Sequence, residues 1–355
     1  MRRLLFFLLL SGFTFQVSSL SYATIRFVDP GHYQTIGAAY TDAVNGDSIL
    51  ISEGFYNENL TFAKRLTALG AGMDITIING QISLNTGASN SILEGVAVIS
   101  GVNFSSTINI APTVDSLLIR RCRVQTTSYL SAAVGRNAPT TSRLFIDDCV
   151  LYSIAITSLT LNGDFATVRN CIIANQYLVN SGSAAIGGSA GSLVIQNCTI
   201  VGAVDALFGL SGSFPFVFTN NIIYDFSGNW GTYPPNGTLD YNAFTGTPPQ
   251  GHTANYVTLT QNPFINYSTT TRYVYGTSNL HLDPTNGLPC INAGIPVIHD
   301  LDGTRSDLGT YGGQLPLIDS GAPAYPFVTS FTVPIGISQG QNLPIQSQGR
   351  IGRGY

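Results

Sequence analysis

Between residues 93 and 244 one short apolar phrase returns again and again. It reads Leu118-Ile119-Arg120-Arg121-Cys122-Arg123-Val124, then Phe145-Ile146-Asp147-Asp148-Cys149-Val150-Leu151, then Thr167-Val168-Arg169-Asn170-Cys171-Ile172-Ile173, then Val194-Ile195-Gln196-Asn197-Cys198-Thr199-Ile200. Val217-Phe218-Thr219-Asn220-Asn221-Ile222-Ile223 repeats it with asparagine in place of cysteine, and weaker copies place Asn242 and Val96 at that position. The marker positions are therefore 96, 122, 149, 171, 198, 221 and 242, spaced by 26, 27, 22, 27, 23 and 21 residues. A period in the twenties with one β-phrase per repeat predicts a solenoid.

Inside each phrase the apolar residues fall at i, i+3 and i+5, as in Ile195, Cys198 and Ile200. The last two share the parity of a strand, whereas the step from i to i+3 breaks it, so the chain must bend at the residue between. That residue is Asp148, Asn170, Asn197 and Asn220 in successive copies. Asn and Asp accept the left-handed backbone such a corner needs, and stacked amides can bond from rung to rung. The cysteines then stack about 4.8 Å apart as small buried hydrophobes, expected as free thiols, although the spacing also permits disulfides. Their apolar neighbours argue against redox or metal chemistry. Upstream, Ile36, Ala39, Tyr40 and Ala43 have helical spacing and predict a short amphipathic helix covering the open end of the solenoid.

Composition narrows the picture. Only 10 % of the 355 residues are charged, Lys64 is the one lysine, and there are 38 glycines and 26 asparagines. Such a chain is poor in the residues that fill exposed helix faces and rich in those that turn strands, which excludes a helical bundle. A formal charge of −4 excludes nucleic-acid binding through a basic surface. Residues 1–23 carry Arg2 and Arg3, an apolar run over 4–10 and Ser21-Tyr22-Ala23, the layout of a cleaved signal peptide, and the run is too short to span a bilayer. No other segment suggests a membrane span. The mature chain is expected to be exported, outside the cell, on its surface or in the periplasm.

The repeats resemble the secreted right-handed parallel β-helix proteins of the pectin-lyase-like superfamily. The resemblance extends to Tyr33-Gln34-Thr35-Ile36 through Gly46-Asp47-Ser48-Ile49, and to Asn262-Pro263-Phe264, His281-Leu282, Ile291-Asn292-Ala293-Gly294 and Asp300-Leu301-Asp302-Gly303-Thr304 in a carboxy-terminal closing module. It implies an all-β, right-handed parallel β-helix over residues 24–313, with a helical cap (24–47), about ten coils, a closing module (262–313) and a Pro/Gly/Ser/Gln-rich tail (314–355). In that tail residues 327–333 alternate as a strand. The superfamily hosts lyases, esterases, hydrolases and binding proteins alike, so fold does not decide chemistry.

Candidate chemistry is sparse. Asn197-Cys198-Thr199-Ile200-Val201-Gly202-Ala203-Val204-Asp205-Ala206-Leu207-Phe208-Gly209 resembles the stretch of pectin methylesterases that bears the nucleophilic aspartate, and Asp205 is the matching position. The partner acid falls on Gln176-Tyr177, and no Arg or Lys stands between Arg169 and Arg272 to supply the family's arginine. A column of Arg120, Asp147 and Arg169 precedes the corner; it reads as a salt-bridge ladder or as a face for an acidic saccharide. Trp230 heads an aromatic, proline-rich departure from the repeat, a sugar platform or a flank packed on the solenoid. Asp300, Asp302 and Asp307 surround a glycine turn that suits calcium, or else cap backbone amides, with Asp307 pairing to Arg305. No paired histidines mark a zinc site. The expected function is a non-catalytic saccharide-binding or cell-surface protein whose partner is a polysaccharide or surface glycan. The alternative is a lyase or pectinesterase-like enzyme on an acidic polysaccharide.

Overall fold

The computed structural model describes residues 23–355 apart from 102–104, 129–131, 137–141, 155–156, 163–164, 177–183, 189–190, 204, 209, 211–214, 227–229, 232–236, 253–254, 322–326, 333–339, 341, 343–345 and 351–355. The expected signal segment thus lies almost wholly outside the described residues.

The chain winds as a right-handed parallel β-helix with three walls. Sheet one has ten strands, from Ile25–Val28 to Thr238–Asp240; sheet two has ten, from Gly54–Tyr56 to Tyr256–Thr258; sheet three has seven, from Leu60–Phe62 to Asp205–Phe208. Every pairing within these walls is parallel, each strand bonding to its counterpart one coil away. A parallel neighbour reached by a crossover is right-handed for the reason twisted strands are. Among the described residues seven coils are complete on all three sides.

The corner between sheets one and two lies where the parity break predicts it. Asp148, Asn170, Asn197 and Asn220 have φ of 54°, 49°, 51° and 59°, and Gly95, Arg121 and Tyr241 hold the same turn in the flanking coils. The next position points inward: Val96, Cys122, Cys149, Cys171, Cys198, Asn221 and Asn242 are all fully buried. The cysteines are free thiols, and burial pushes those of Cys122 and Cys171 well above the ordinary range. The column works as a ladder of acceptors. The amide of Cys122 donates to Cys149 Sγ at 3.5 Å, that of Cys198 to Asn221 Oδ1 at 2.8 Å, and that of Asn221 to Asn242 Oδ1 at 2.9 Å. Rung-to-rung amide bonding therefore belongs chiefly to this inner column, through Asn221 and Asn242.

The corner amides instead reach outward, apart from one 3.5 Å contact from Asn220 to Asn197. Asn170 Nδ2 donates to the carbonyls of Thr310 and Gly312, Asn197 Nδ2 to Ser306 Oγ and the Asp307 carbonyl, and Asn220 Oδ1 accepts from the Ile295 amide. They hold residues 262–321 along the outside of sheet two. There Val150, Tyr152, Ile172, Ala174, Val201, Ile222 and Ala243 form a second core with Phe264, Tyr267, Tyr273, Leu280, Cys290, Leu308 and Leu317. Within this segment Phe264–Asn266 and Asn279–Leu282 pair antiparallel.

At the amino end the helix Ile36–Asp42 forms as its spacing predicts, capped by Thr35, whose side chain accepts from the Ala38 amide. Ile36 and Ala39 are buried, and the Glu58 carboxylate takes the Ile36 and Gly37 amides at 2.9 and 2.8 Å. In the tail, Phe327–Thr332 pairs antiparallel with Gln346–Arg350.

Candidate functional site

Six strands of sheet one end on the column Glu94, Arg120, Asp147, Arg169, Gln196 and Thr219, in direct register. Parallel pairing stacks these side chains, and their alternating signs let neighbours pair. Arg120 Nη2 lies 2.6 Å from Glu94 Oε2, and Arg121 reaches the other oxygen at 3.3 Å. Arg169 grips Asp147 with two hydrogen bonds, Nε to Oδ1 at 3.0 Å and Nη2 to Oδ2 at 2.8 Å. That grip holds the Arg169 guanidinium above its ordinary range. Arg120, Asp147 and Arg169 stand on neighbouring rungs in two ion pairs, Arg120 with Glu94 and Arg169 with Asp147. Beside it runs a half-exposed stripe of Leu118, Phe145, Thr167, Val194 and Val217, also in register. On its far side Arg143 pairs with Asp115 at 2.9 Å.

Asp205 opens the last strand of sheet three, Asp205–Phe208, paired with Ala184–Gly187. The family's partner position is committed elsewhere: Gln176 Nε2 donates to the Tyr273 carbonyl at 2.7 Å, and Tyr177 lies outside the described residues. Arg272, distant in sequence, packs near the start of the strand Asp205–Phe208. Arg272 Nη1 donates to the carbonyl of Gly202, three residues before Asp205, and its Nε stands 3.9 Å from Asp225 Oδ2. Asp225 also accepts the Tyr267 hydroxyl at 2.6 Å, and burial pushes both groups up.

Trp230 is a core residue. Its ring is 8 % exposed and meets Phe218, Phe226 and Phe244 edge-on, while Nε1 donates to the Thr247 carbonyl at 3.0 Å. It therefore presents no platform to a sugar; an indole amid three phenyl rings is better buried than wet. Tyr233, Pro234 and Pro235 lie outside the described residues.

The three aspartates near the end each serve a backbone amide. Asp300 accepts from Asp307 and Gly313, Asp302 from Thr304, and Asp307 from Asn292 at 2.7 Å. Among the described residues no group of three His, Cys, Asp or Glu converges as a metal site. Arg305 does not close on Asp307 as the spacing suggested. It donates to the carbonyls of Gly294 and Ala293 and lies over the Tyr241 ring.

One concavity was invisible in the sequence. Between sheet two and the segment packed on it lies a pocket of about 370 Å³ lined by Asp74, Tyr273, Tyr275, Tyr311 and Asp319 above Val150 and Ile172. Tyr275 donates to Asp74 Oδ1, 201 residues away in the chain. Tyr311 donates to Asp319 Oδ1 at 2.7 Å, and His281, stacked on Tyr311 at 3.7 Å, meets Asp319 Oδ2 at 3.2 Å. Only the Tyr-x-Tyr alternation at 273 and 275 hinted at a shared face.

No protein-family model and no curated protein sequence matches the chain. Solved structures do resemble it. Pectin methylesterase PemA from Erwinia chrysanthemi is 11 % identical with a TM-score of 0.45, covering 66 % of this chain and 93 % of that one. A pectin methylesterase in complex with a hexasaccharide is 14 % identical at 0.49, covering 67 % and 93 %. Pectate lyase Pel9A is 13 % identical at 0.48, covering 83 % and 98 %. These are similarities of shape at low identity. On its own three-walled coil and left-handed corner, the chain is a right-handed parallel β-helix.

Proposed function

We propose that this chain is an exported, non-catalytic β-helix protein that holds a polysaccharide along the outer face of sheet one. The observation that supports this is the charged ladder. Its carboxylates and guanidiniums are already paired with one another at 2.6 to 2.8 Å, beside an apolar stripe that includes Phe145. A lyase needs several carboxylates gathered round a cation and an arginine or lysine released as base. Paired charges of alternating sign instead offer donors and acceptors every 4.8 Å or so to the hydroxyls of an extended chain. Export rests on the leader over 1–23, and the partner is a polysaccharide or a surface glycan.

A second reading, esterase action at Asp205, gains support from one observation: Arg272 is folded onto Gly202, beside the strand that Asp205 opens. The two readings separate in one experiment. Retention in affinity gels containing pectin, polygalacturonate or alginate is measured together with release of methanol, reducing ends and unsaturated products, with and without calcium. Retention without product, weakened in Phe145→Ala and Arg169→Ala, is the expected outcome. Methanol release lost in Asp205→Ala overturns it in favour of the esterase.

A further inference from the structure

We propose that the pocket between sheet two and the carboxy-terminal segment is a second binding site, one that takes a single neutral pyranose ring. It is separate from the sheet-one face and does not depend on what that face binds.

The reasoning starts from the walls. Among the described residues the pocket is lined by two carboxylates, Asp74 and Asp319, and by no lysine or arginine; the nearby Arg123 guanidinium lies 4.2 Å over the Tyr275 ring. An anionic sugar would bring a third negative charge into a partly enclosed space, where repulsion is screened less by water and salt than at the surface. Of the polar lining, the two carboxylates and the two phenols are arranged to accept. Tyr275 and Tyr311 spend their hydroxyl protons on Asp74 and Asp319, leaving phenolic lone pairs beside carboxylate oxygens that retain acceptor capacity. Burial pushes the ionisation of both phenols to higher pH, so these donations persist across the neutral range. The complement is a ligand rich in hydroxyl donors.

The floor supplies the second requirement. Val150, Ile172 and the buried Tyr273 ring form an apolar base that matches the C–H face of a sugar ring. A compact ammonium would need acceptors focused on one point. Asp74 and Asp319 are instead engaged by different phenols, Tyr275 and Tyr311, so the acceptors are spread rather than focused. At about 370 Å³ the space is at the small end of ligand pockets and suits one ring rather than a chain.

The test is calorimetric titration of the full chain with the methyl glycosides of galactose, glucose and mannose, and in parallel with galacturonic acid and galactosamine. At least one neutral glycoside is expected to saturate one site. Asp74→Asn is expected to weaken it about tenfold, as losing a charged acceptor does. Thr277→Trp, on the exposed rim, fills the mouth and is expected to abolish binding while leaving the melting temperature and retention on polysaccharide unchanged; it answers the question even if Asp74→Asn fails to fold. The proposal falls if no neutral glycoside binds, if galacturonic acid binds as well as galactose, if only galactosamine binds, or if Thr277→Trp leaves binding intact.

Discussion

Sheets one and two are built from the same coils, yet their outer faces meet opposite fates. On sheet one the outward residues Leu118, Phe145, Thr167 and Val194 stay half-exposed between rows of ion pairs. On sheet two the outward residues Val150, Tyr152, Ile172 and Val201 are buried beneath the carboxy-terminal segment. Both faces carry apolar side chains, so apolarity alone does not select which is covered. The difference lies at the corner between them. Asn170, Asn197 and Asn220 direct their amides to the segment over sheet two, whereas Glu94, Arg120, Asp147 and Arg169 at the last positions of sheet one pair with each other.

The largest effect is expected from cutting that clamp. Asn170→Ala with Asn197→Ala removes four hydrogen bonds to residues 306–312 and forces alanine into a left-handed corner twice over. A loss of about 4 kcal/mol in urea denaturation, with new protease cleavage inside residues 262–313, is the expected outcome. An unchanged midpoint would show that the apolar contacts suffice.

Asp148 sits in the same corner column, buried, and among the described residues its Oδ1 has no hydrogen-bond partner. Burial first, then the neighbouring Cys149 and Asp147, push its carboxyl up to about 8. The folded protein therefore holds a proton there that the unfolded chain releases above the ordinary 3.8. Stability contributed by this group declines as pH rises through that interval. Asp148→Asn, which copies Asn170 and Asn197, should flatten the decline and stabilise the fold by about 2 kcal/mol at pH 7. Parallel stability–pH curves for the two proteins would refute it.

On the uncovered face effects on stability shrink. Arg169→Ala breaks a half-exposed ion pair and should cost less than about 1 kcal/mol, its consequence appearing in polysaccharide retention. Smallest of all, chelation should leave the melting temperature unmoved, because Asp300, Asp302 and Asp307 are anchored to backbone amides. A fall of several degrees would reinstate a bound cation.

Much of the coil was legible. The parity break located the left-handed corner residue by residue, and the inner column from Val96 to Asn242 is buried in the order the spacing implies. Helical spacing found the helix Ile36–Asp42. Arg121 and Tyr241 hold the same corner without announcing it, because stacking on neighbouring coils imposes a φ that their own side chains disfavour. The corner amides were legible as turn formers but not as clamps, since their partners lie up to 142 residues away. Trp230 was ambiguous because a lone aromatic in an irregular stretch reads alike whether it is wet or buried.

By itself the sequence determined the period, the bend and the inward column, all of which follow from contacts between a residue and its counterpart one coil away. Those contacts repeat at nearly constant spacing, so they leave a pattern in the chain. Tertiary structure alone decided which wall is roofed, that Arg272 returns to Gly202, and that Asp74 meets Tyr275 across 201 residues. Each of these is a single long-range contact between elements whose local patterns are independent, and a contact made once leaves no period to read.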